Sequence, residues 1–250
     1  MFTSYKDIFN QRSNLYHQAM VTYPLARKEE FKQILQLADL EDGHVICDIP
    51  SGGCYISDFI DQRVKIISIE TSAEFIRCSQ SQAQENNAVI VCDSFAELPL
   101  ISESVDRAIS LAGLHHQDRK SDFYQESYRL LKKGGILGIA DVRKGSGVDG
   151  FLNVFVDRYN SMGHKGKFLD EQTKNELEAV GFKVAYHSPI SFYWKFDSLQ
   201  NMIEYCRLLF GIDKANDPQI LEGIKQFLGY QILANQYCLN WELYFFKAIK

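Results

Sequence analysis

The sequence predicts an α/β protein built on a doubly wound, seven-stranded, mostly parallel sheet. Short β-branched runs alternate with longer helix-like segments, the pattern of successive βαβ units. The strand-like runs are apolar on successive residues, which suits strands covered on both faces. An acidic residue ends each of the first three runs: Asp48, Glu70 and Asp93.

The seven runs are His44–Ile49, Val64–Ile69, Ala88–Cys92, Val105–Leu111, Ile136–Val142, a sixth beginning at Phe182–Tyr186, and Trp241–Ile249. Between them, Ser72 and Glu74 open a helix with a hydroxyl cap and acidic charge at its start. Ser121–Leu131 forms another, ended by Lys132, Lys133 and Gly134. Asp170 caps a helix over Glu171–Val180, stopped by Gly181. Ahead of the sheet, helices cover roughly Tyr5–Met20 and Ala26–Ala38, with Pro24 in the break. Two further segments, Leu199–Phe210 and Gln219–Leu228, carry apolar residues at helical spacing. The expected organisation is an N-terminal helical cap over 1–40 and a sheet domain over 41–250. Residues 196–236 are inserted in that domain as a helical lid.

The chain has 250 residues, 46% apolar and 24% charged, with a formal net charge of −5. A core of this size needs no disulfide or metal. The acidic balance argues against nucleic acid as an obligatory partner, because phosphate recognition wants a basic face. No apolar stretch reaches the length of a membrane span, and the N-terminus lacks a secretory apolar region. None of the six cysteines is in CxxC spacing, and no Cys/His cluster resembles a zinc site. The expectation is a cytoplasmic protein with no metal.

In an open α/β sheet, ligands bind beyond the C-terminal strand ends at the switch point of strand order. A carboxylate ending the second strand, here Glu70, is the usual partner of a ribose diol. After Asp48 comes the turn Ile-Pro-Ser-Gly-Gly-Cys, 49–54, where glycines let a ligand approach the backbone closely.

The stretch VICDIPSGG…IISIE…VIVCDSFAELPL…SVDRAISLAGLHH…ESYRLLKKGGILGIADV resembles the class I S-adenosylmethionine (SAM)-dependent methyltransferases. The resemblance covers about residues 44–142 and implies an antiparallel last strand beside the fifth and sixth. It implies SAM as cofactor, S-adenosylhomocysteine (SAH) as product, and a methyl acceptor that is a small molecule. By the same resemblance, Asp48 and the turn Pro50, Ser51, Gly52 and Gly53 carry the methionine end. Glu70, with Thr71, binds the ribose; Asp93, Ser94 and Phe95 face the adenine. Leu111, Ala112 and Gly113 approach the methionyl amine and the transferred methyl. The chain departs from the family's Asp-x-Gly-x-Gly-x-Gly pattern, with Pro50 and Cys54 at the first and third glycine positions. That departure motivates an alternative, a non-catalytic relative that keeps the fold. A nicotinamide oxidoreductase is disfavoured because G-x-G-x-x-G does not follow the first strand.

His115 and His116 follow the fourth strand, where an imidazole can take a proton from an acceptor. Adjacent residues point different ways, so one of the two, His116 by preference, is expected to face the site. Tyr16 and Arg12 on the first helix are expected near the methionine carboxylate. Tyr23, Tyr193, Trp194 and Tyr205 are expected to contact an apolar or acyl-bearing substrate.

Overall fold

The computed structural model describes residues 4–79 and 87–250; Met1–Thr3 of the expected N-terminal cap lie outside them. Helices α1 (Tyr5–Thr22) and α2 (Lys28–Ala38) precede the sheet. The Ser4 hydroxyl caps α1 by accepting from Asp7 N–H. On α2, Phe31, Ile34 and Ala38 share one face and are buried beneath it.

The sheet contains β1 (Val45–Asp48), β2 (Lys65–Glu70), β3 (Asn87–Val91), β4 (Val105–Leu111), β5 (Leu131–Asp141), β6 (Lys183–Phe196), β7 (Tyr230–Leu233) and β8 (Gln236–Ile249). The order is β3-β2-β1-β4-β5-β8-β6, with β7 added beside β8. β1 to β5 pair parallel, and β8 runs antiparallel to β5 and β6. Strand order reverses between β1 and β4, so the crevice opens beyond Asp48 and Leu111.

Among the described residues the sheet thus has eight strands where the sequence predicts seven. The eighth, β7, forms a hairpin with β8 through the positive-φ pair Ala234 and Asn235. The sixth strand also runs ten residues past Tyr186, carrying Pro189 on an edge position where no ladder bond is forfeited. Consequently Phe192, Tyr193, Trp194 and Phe196 belong to a strand, with Phe192, Trp194 and Phe196 turned inward and buried.

Among the described residues, helices α3 (Ala73–Ser79), α4 (Lys120–Leu130) and α7 (Gln172–Val180) cover the sheet. One helical segment has no counterpart in the sequence reading: α5 (Gly147–Gly150), a π-helical turn (Phe151–Val156) and α6 (Asp157–Tyr159) run without a break. Helices α8 (Leu199–Phe210) and α9 (Asp217–Phe227) lie between β6 and β7. α8 is capped by Ser198 and α9 by an Asn216/Gln219 capping box. No helix among the described residues is long and apolar enough to cross a membrane.

Candidate active site

Two adjoining cavities open where the strand order reverses, and both are roofed by α1 and α2. The first, about 50 Å³, is walled by Asp48, Pro50, Ser51 and Gly52 after β1 and by Leu111–Gly113 after β4. Tyr5, Phe9 and Tyr16 of α1 close it. The second, about 60 Å³, has His115, His116, His164, Arg12, Trp194 and Trp241 in its wall. Phe9, Tyr16, Arg27 and Ala112 border both.

The turn after β1 is held by internal bonds. Ser51 N–H donates to the Ile69 carbonyl at 2.9 Å, and Gly52, at φ 53°, donates to Glu70 at 2.9 Å. Pro50 packs against Gly113, where an added Cβ would meet its Cγ at 2.3 Å. Pro50 therefore lines the cavity without closing it, and it is Gly113 that makes room for its ring. Cys54 is buried away from the cavity lining. Gly113→Ala is expected to force this turn off β4 and lower stability by about 1–3 kcal/mol, measured by thermal denaturation.

Glu70 is fully buried and its carboxylate accepts four hydrogen bonds. Thr71 N–H (2.7 Å) and Ser72 N–H (2.9 Å) hold one oxygen, and Gly52 N–H (2.9 Å) and the Tyr5 hydroxyl (2.8 Å) hold the other. Burial nevertheless pushes its pKa up to about 7, with the donors pulling the other way. Burial, then the proximity of Glu70, holds the Asp48 carboxyl well above the usual carboxylate range. The three acidic strand ends do not converge. Asp93 lies two residues beyond edge strand β3, its side chain fully exposed and paired with Lys6 of α1 at 3.1 Å. Ser94 is exposed and caps the Ala96 N–H, while Phe95 is buried edge-on to Tyr5. The first turn of α1 thus covers both Glu70 and the chain beyond β3.

A 3-10 turn over Leu114–His116 brings both adjacent imidazoles to the second cavity, ring centroids 4.1 Å apart, so the expectation that one alone faces it is corrected. His115 Nδ1 lies 2.7 Å from the buried Asp141 carboxylate, which also accepts from the His115 and Val142 N–H groups. Burial works to raise the Asp141 pKa, but His115 and those donors hold it low. Burial holds His116 and His164 well below the usual imidazole value. His164, which the sequence reading missed, joins the pair, and one nitrogen from each ring lies within 4.8 Å of the others. These three could hold a metal ion, a grouping that the sequence, with no Cys/His cluster, does not reveal.

Arg27 and Glu30 were also missed. They form a buried ion pair between the cavities, in which Glu30 additionally accepts from Trp194 Nε1 at 2.8 Å and Arg27 donates to the Tyr16 hydroxyl. Tyr16 borders both cavities, but Arg12 borders only the second, because it faces the C-terminus of α8 rather than the turn after β1. Of the four expected substrate contacts, only Trp194 lines the cavity. Tyr205 is buried beneath Trp194, Tyr23 turns outward to donate to Glu204, and Tyr193 faces the opposite side of β6.

Residues 47–139 match the methyltransferase-domain family. Erythromycin 3''-O-methyltransferase of Saccharopolyspora erythraea is 25% identical over 47% of this chain and 40% of its own length. Demethylmenaquinone methyltransferase of Protochlamydia amoebophila is 22% identical over 55% and 61% respectively. A 25S rRNA (adenine(645)-N(1))-methyltransferase of Schizosaccharomyces pombe is 35% identical over 36% of this chain and 27% of its own. The chain thus spans less than two thirds of the length of these relatives. Among solved structures, the Haemonchus contortus phosphoethanolamine N-methyltransferase 2 superposes with a TM-score of 0.66 at 15% identity, covering 99% of this chain and 60% of that one. The (4+2)-cyclase SpnF superposes with a TM-score of 0.69 at 15% identity, covering 99% and 96%. At these identities the structures share the fold alone.

Proposed function

We propose that this chain is a class I SAM-dependent methyltransferase that transfers the methyl group of SAM to an oxygen or nitrogen of a small molecule held in the second cavity. One observation carries this reading: two adjoining cavities meet at Ala112, one on the nucleotide side of the switch point and one enclosed by aromatic and imidazole side chains. A pocket walled by Trp194, Trp241 and three imidazoles suits a small acceptor rather than a polynucleotide.

SAM brings its own sulfonium leaving group, so alignment of nucleophile, methyl carbon and sulfur supplies much of the acceleration. Residues Asp48 to Gly53 and Leu111 to Gly113 hold the methionine end. Glu70 takes a ribose hydroxyl, with Thr71 and Phe95 on the nucleoside side. His115 is better suited than His116 to accept a proton from a hydroxyl or amine, because Asp141 fixes its Nδ1 and leaves Nε2 free. The first cavity's acidic wall complements a cationic ligand: Asp48 borders it, with Glu70 just behind.

The nucleoside needs the first turn of α1 to withdraw, since Tyr5 occupies the Glu70 oxygen that the ribose would use. Tyr5→Phe removes this competitor and is expected to tighten SAM by about tenfold or more, the worth of one hydrogen bond to a carboxylate. Calorimetry reads this directly, and weaker binding would count against the displacement.

Binding also depends on pH. Burial raises the pKa of both Asp48 and Glu70 in the empty site, Glu70 to about 7. A cationic ligand favours the ionised forms, so binding releases protons below about pH 7 and affinity rises with pH, by up to about tenfold per unit per proton. Titration in buffers of different ionisation enthalpy counts those protons. The reading as a whole is tested by transfer of label from methyl-tritiated SAM to a panel of small phenols, amines and carboxylates. Transfer to none of them, with SAH also failing to bind, would favour the non-catalytic alternative.

A further inference from the structure

The second cavity holds donors that nothing answers. Arg12 of α1 is 8% exposed, and no carboxylate lies within ion-pair distance of it among the described residues. Its Nη2 donates to the Leu209 carbonyl at 2.8 Å, but its Nε is buried without an acceptor. Elsewhere in the same wall, Trp241 Nε1 is likewise buried without an acceptor. The one carboxylate in the lining, Glu30, is already taken by Arg27 and Trp194.

A guanidinium at the end of α8 has a bland explanation, since a cation there caps the last carbonyls. That accounts for one of its five N–H groups. A buried charge with a single neutral partner is costly unless something pairs with it. Burial lowers the Arg12 pKa, to about 10 once Tyr16 and Asp213 have partly offset it. The fold nonetheless keeps the group in place. Gly211, at φ 60°, has Arg12 Nε 2.8 Å from where a Cβ would stand. Beside these donors, Trp194, Trp241 and Phe210 lie nearly parallel, with interplanar angles of 17–22°.

We propose that Arg12 is the anion-recognition residue of the acceptor site, and that the acceptor is a small, flat, apolar molecule bearing a carboxylate. The ring system lies along the Trp194–Trp241 wall, and the carboxylate takes the free N–H groups of Arg12, with Trp241 Nε1 as a further donor in the same wall. This rests on the second cavity being the acceptor space, and it adds the substrate class.

The chain's two tryptophans, Trp194 and Trp241, both line this cavity, so intrinsic fluorescence reports its occupancy. Benzoate and phenylacetate are titrated against benzamide and phenylacetamide, with and without SAH. The acids are expected to give saturable changes at least about tenfold tighter than the amides, the difference between a charge-assisted and a neutral pair. Added NaCl is expected to weaken the acids and leave the amides unchanged, a test that needs no variant. Arg12→Gln is expected to erase the preference and Arg12→Lys to keep part of it. Equal binding of acid and amide, salt-insensitive acid binding, no saturable change with any of the four, or an undiminished preference in Arg12→Gln each overturns the proposal. Zn²⁺ quenching that disappears in His164→Ala, with the acids inert, overturns it in favour of a metal site. SAH affinity, measured separately by calorimetry, distinguishes this outcome from failure of the methyltransferase reading. Acids that bind while SAH does not leave the anion site standing alone.

Discussion

Glu70→Gln is expected to weaken SAM about tenfold. Three acceptor sites of the carboxylate stay with the Thr71, Ser72 and Gly52 N–H groups, so the site that Tyr5 vacates takes one ribose hydroxyl. That charge-assisted bond is worth roughly 1.5 kcal/mol more than its neutral counterpart, or about one order of magnitude in affinity. The amide keeps the side chain's shape but turns one acceptor into a donor, which then faces the N–H groups of Thr71 and Ser72 or that of Gly52. Stability therefore also drops, and melting temperature must be followed beside affinity. The double variant Tyr5→Phe with Glu70→Gln separates the two effects. If Glu70 acts by receiving the ribose, the gain from Tyr5→Phe disappears once Glu70→Gln is also present. If Glu70 merely props the turn, the gain persists. SAM affinity unchanged in Glu70→Gln would remove the ribose role.

Glu30→Ala is expected to produce the largest loss of stability, about 3–5 kcal/mol, because it strands Arg27 as a buried unpaired charge. Burial already works against the Arg27 charge; Glu30 is what holds it well above its ordinary pKa. Trp194 Nε1 loses its acceptor in the same step. For a domain of this size the shift in melting temperature is roughly 6–20 °C, a large share of the 5–15 kcal/mol typical of a folded domain. Converting the pair together, Arg27→Met with Glu30→Leu, is expected to lose less than Glu30→Ala alone, since no charge is then left buried. A double variant as unstable as the single would mean that packing around Phe31 and Trp194, and not the ion pair, fixes the roof of the cavities.

The parallel half of the sheet is legible in the sequence because β1, β4 and β5 are apolar on successive residues and covered on both faces. Asp48, Pro50 and Leu111–Gly113 reach the first cavity for a related reason: strand ends at a switch point have nowhere else to face. Asp93 looks equivalent on paper, yet β3 is the sheet edge and the chain has already turned to solvent by residue 93. The length of β6 is hidden by Pro189 and Ser191, which interrupt the apolar pattern but are tolerated on an edge strand. Arg27 and Glu30, three apart on a helix, read as an ordinary surface pair. The packing of α2 against β5 and β6 buries them. His164 is far from His115 along the chain, and it arrives through the α5–α6 segment, whose π-helical turn breaks the 3.6-residue period that identifies helices from sequence.

A crystal structure of the complex with SAH tests the central claim most directly. The account predicts the homocysteine end against the turn from Asp48 to Gly52, the ribose on Glu70, and Tyr5 withdrawn from that carboxylate. Crystals grown at saturating SAH that keep the Tyr5–Glu70 hydrogen bond, with the nucleoside absent or lodged elsewhere, would contradict it.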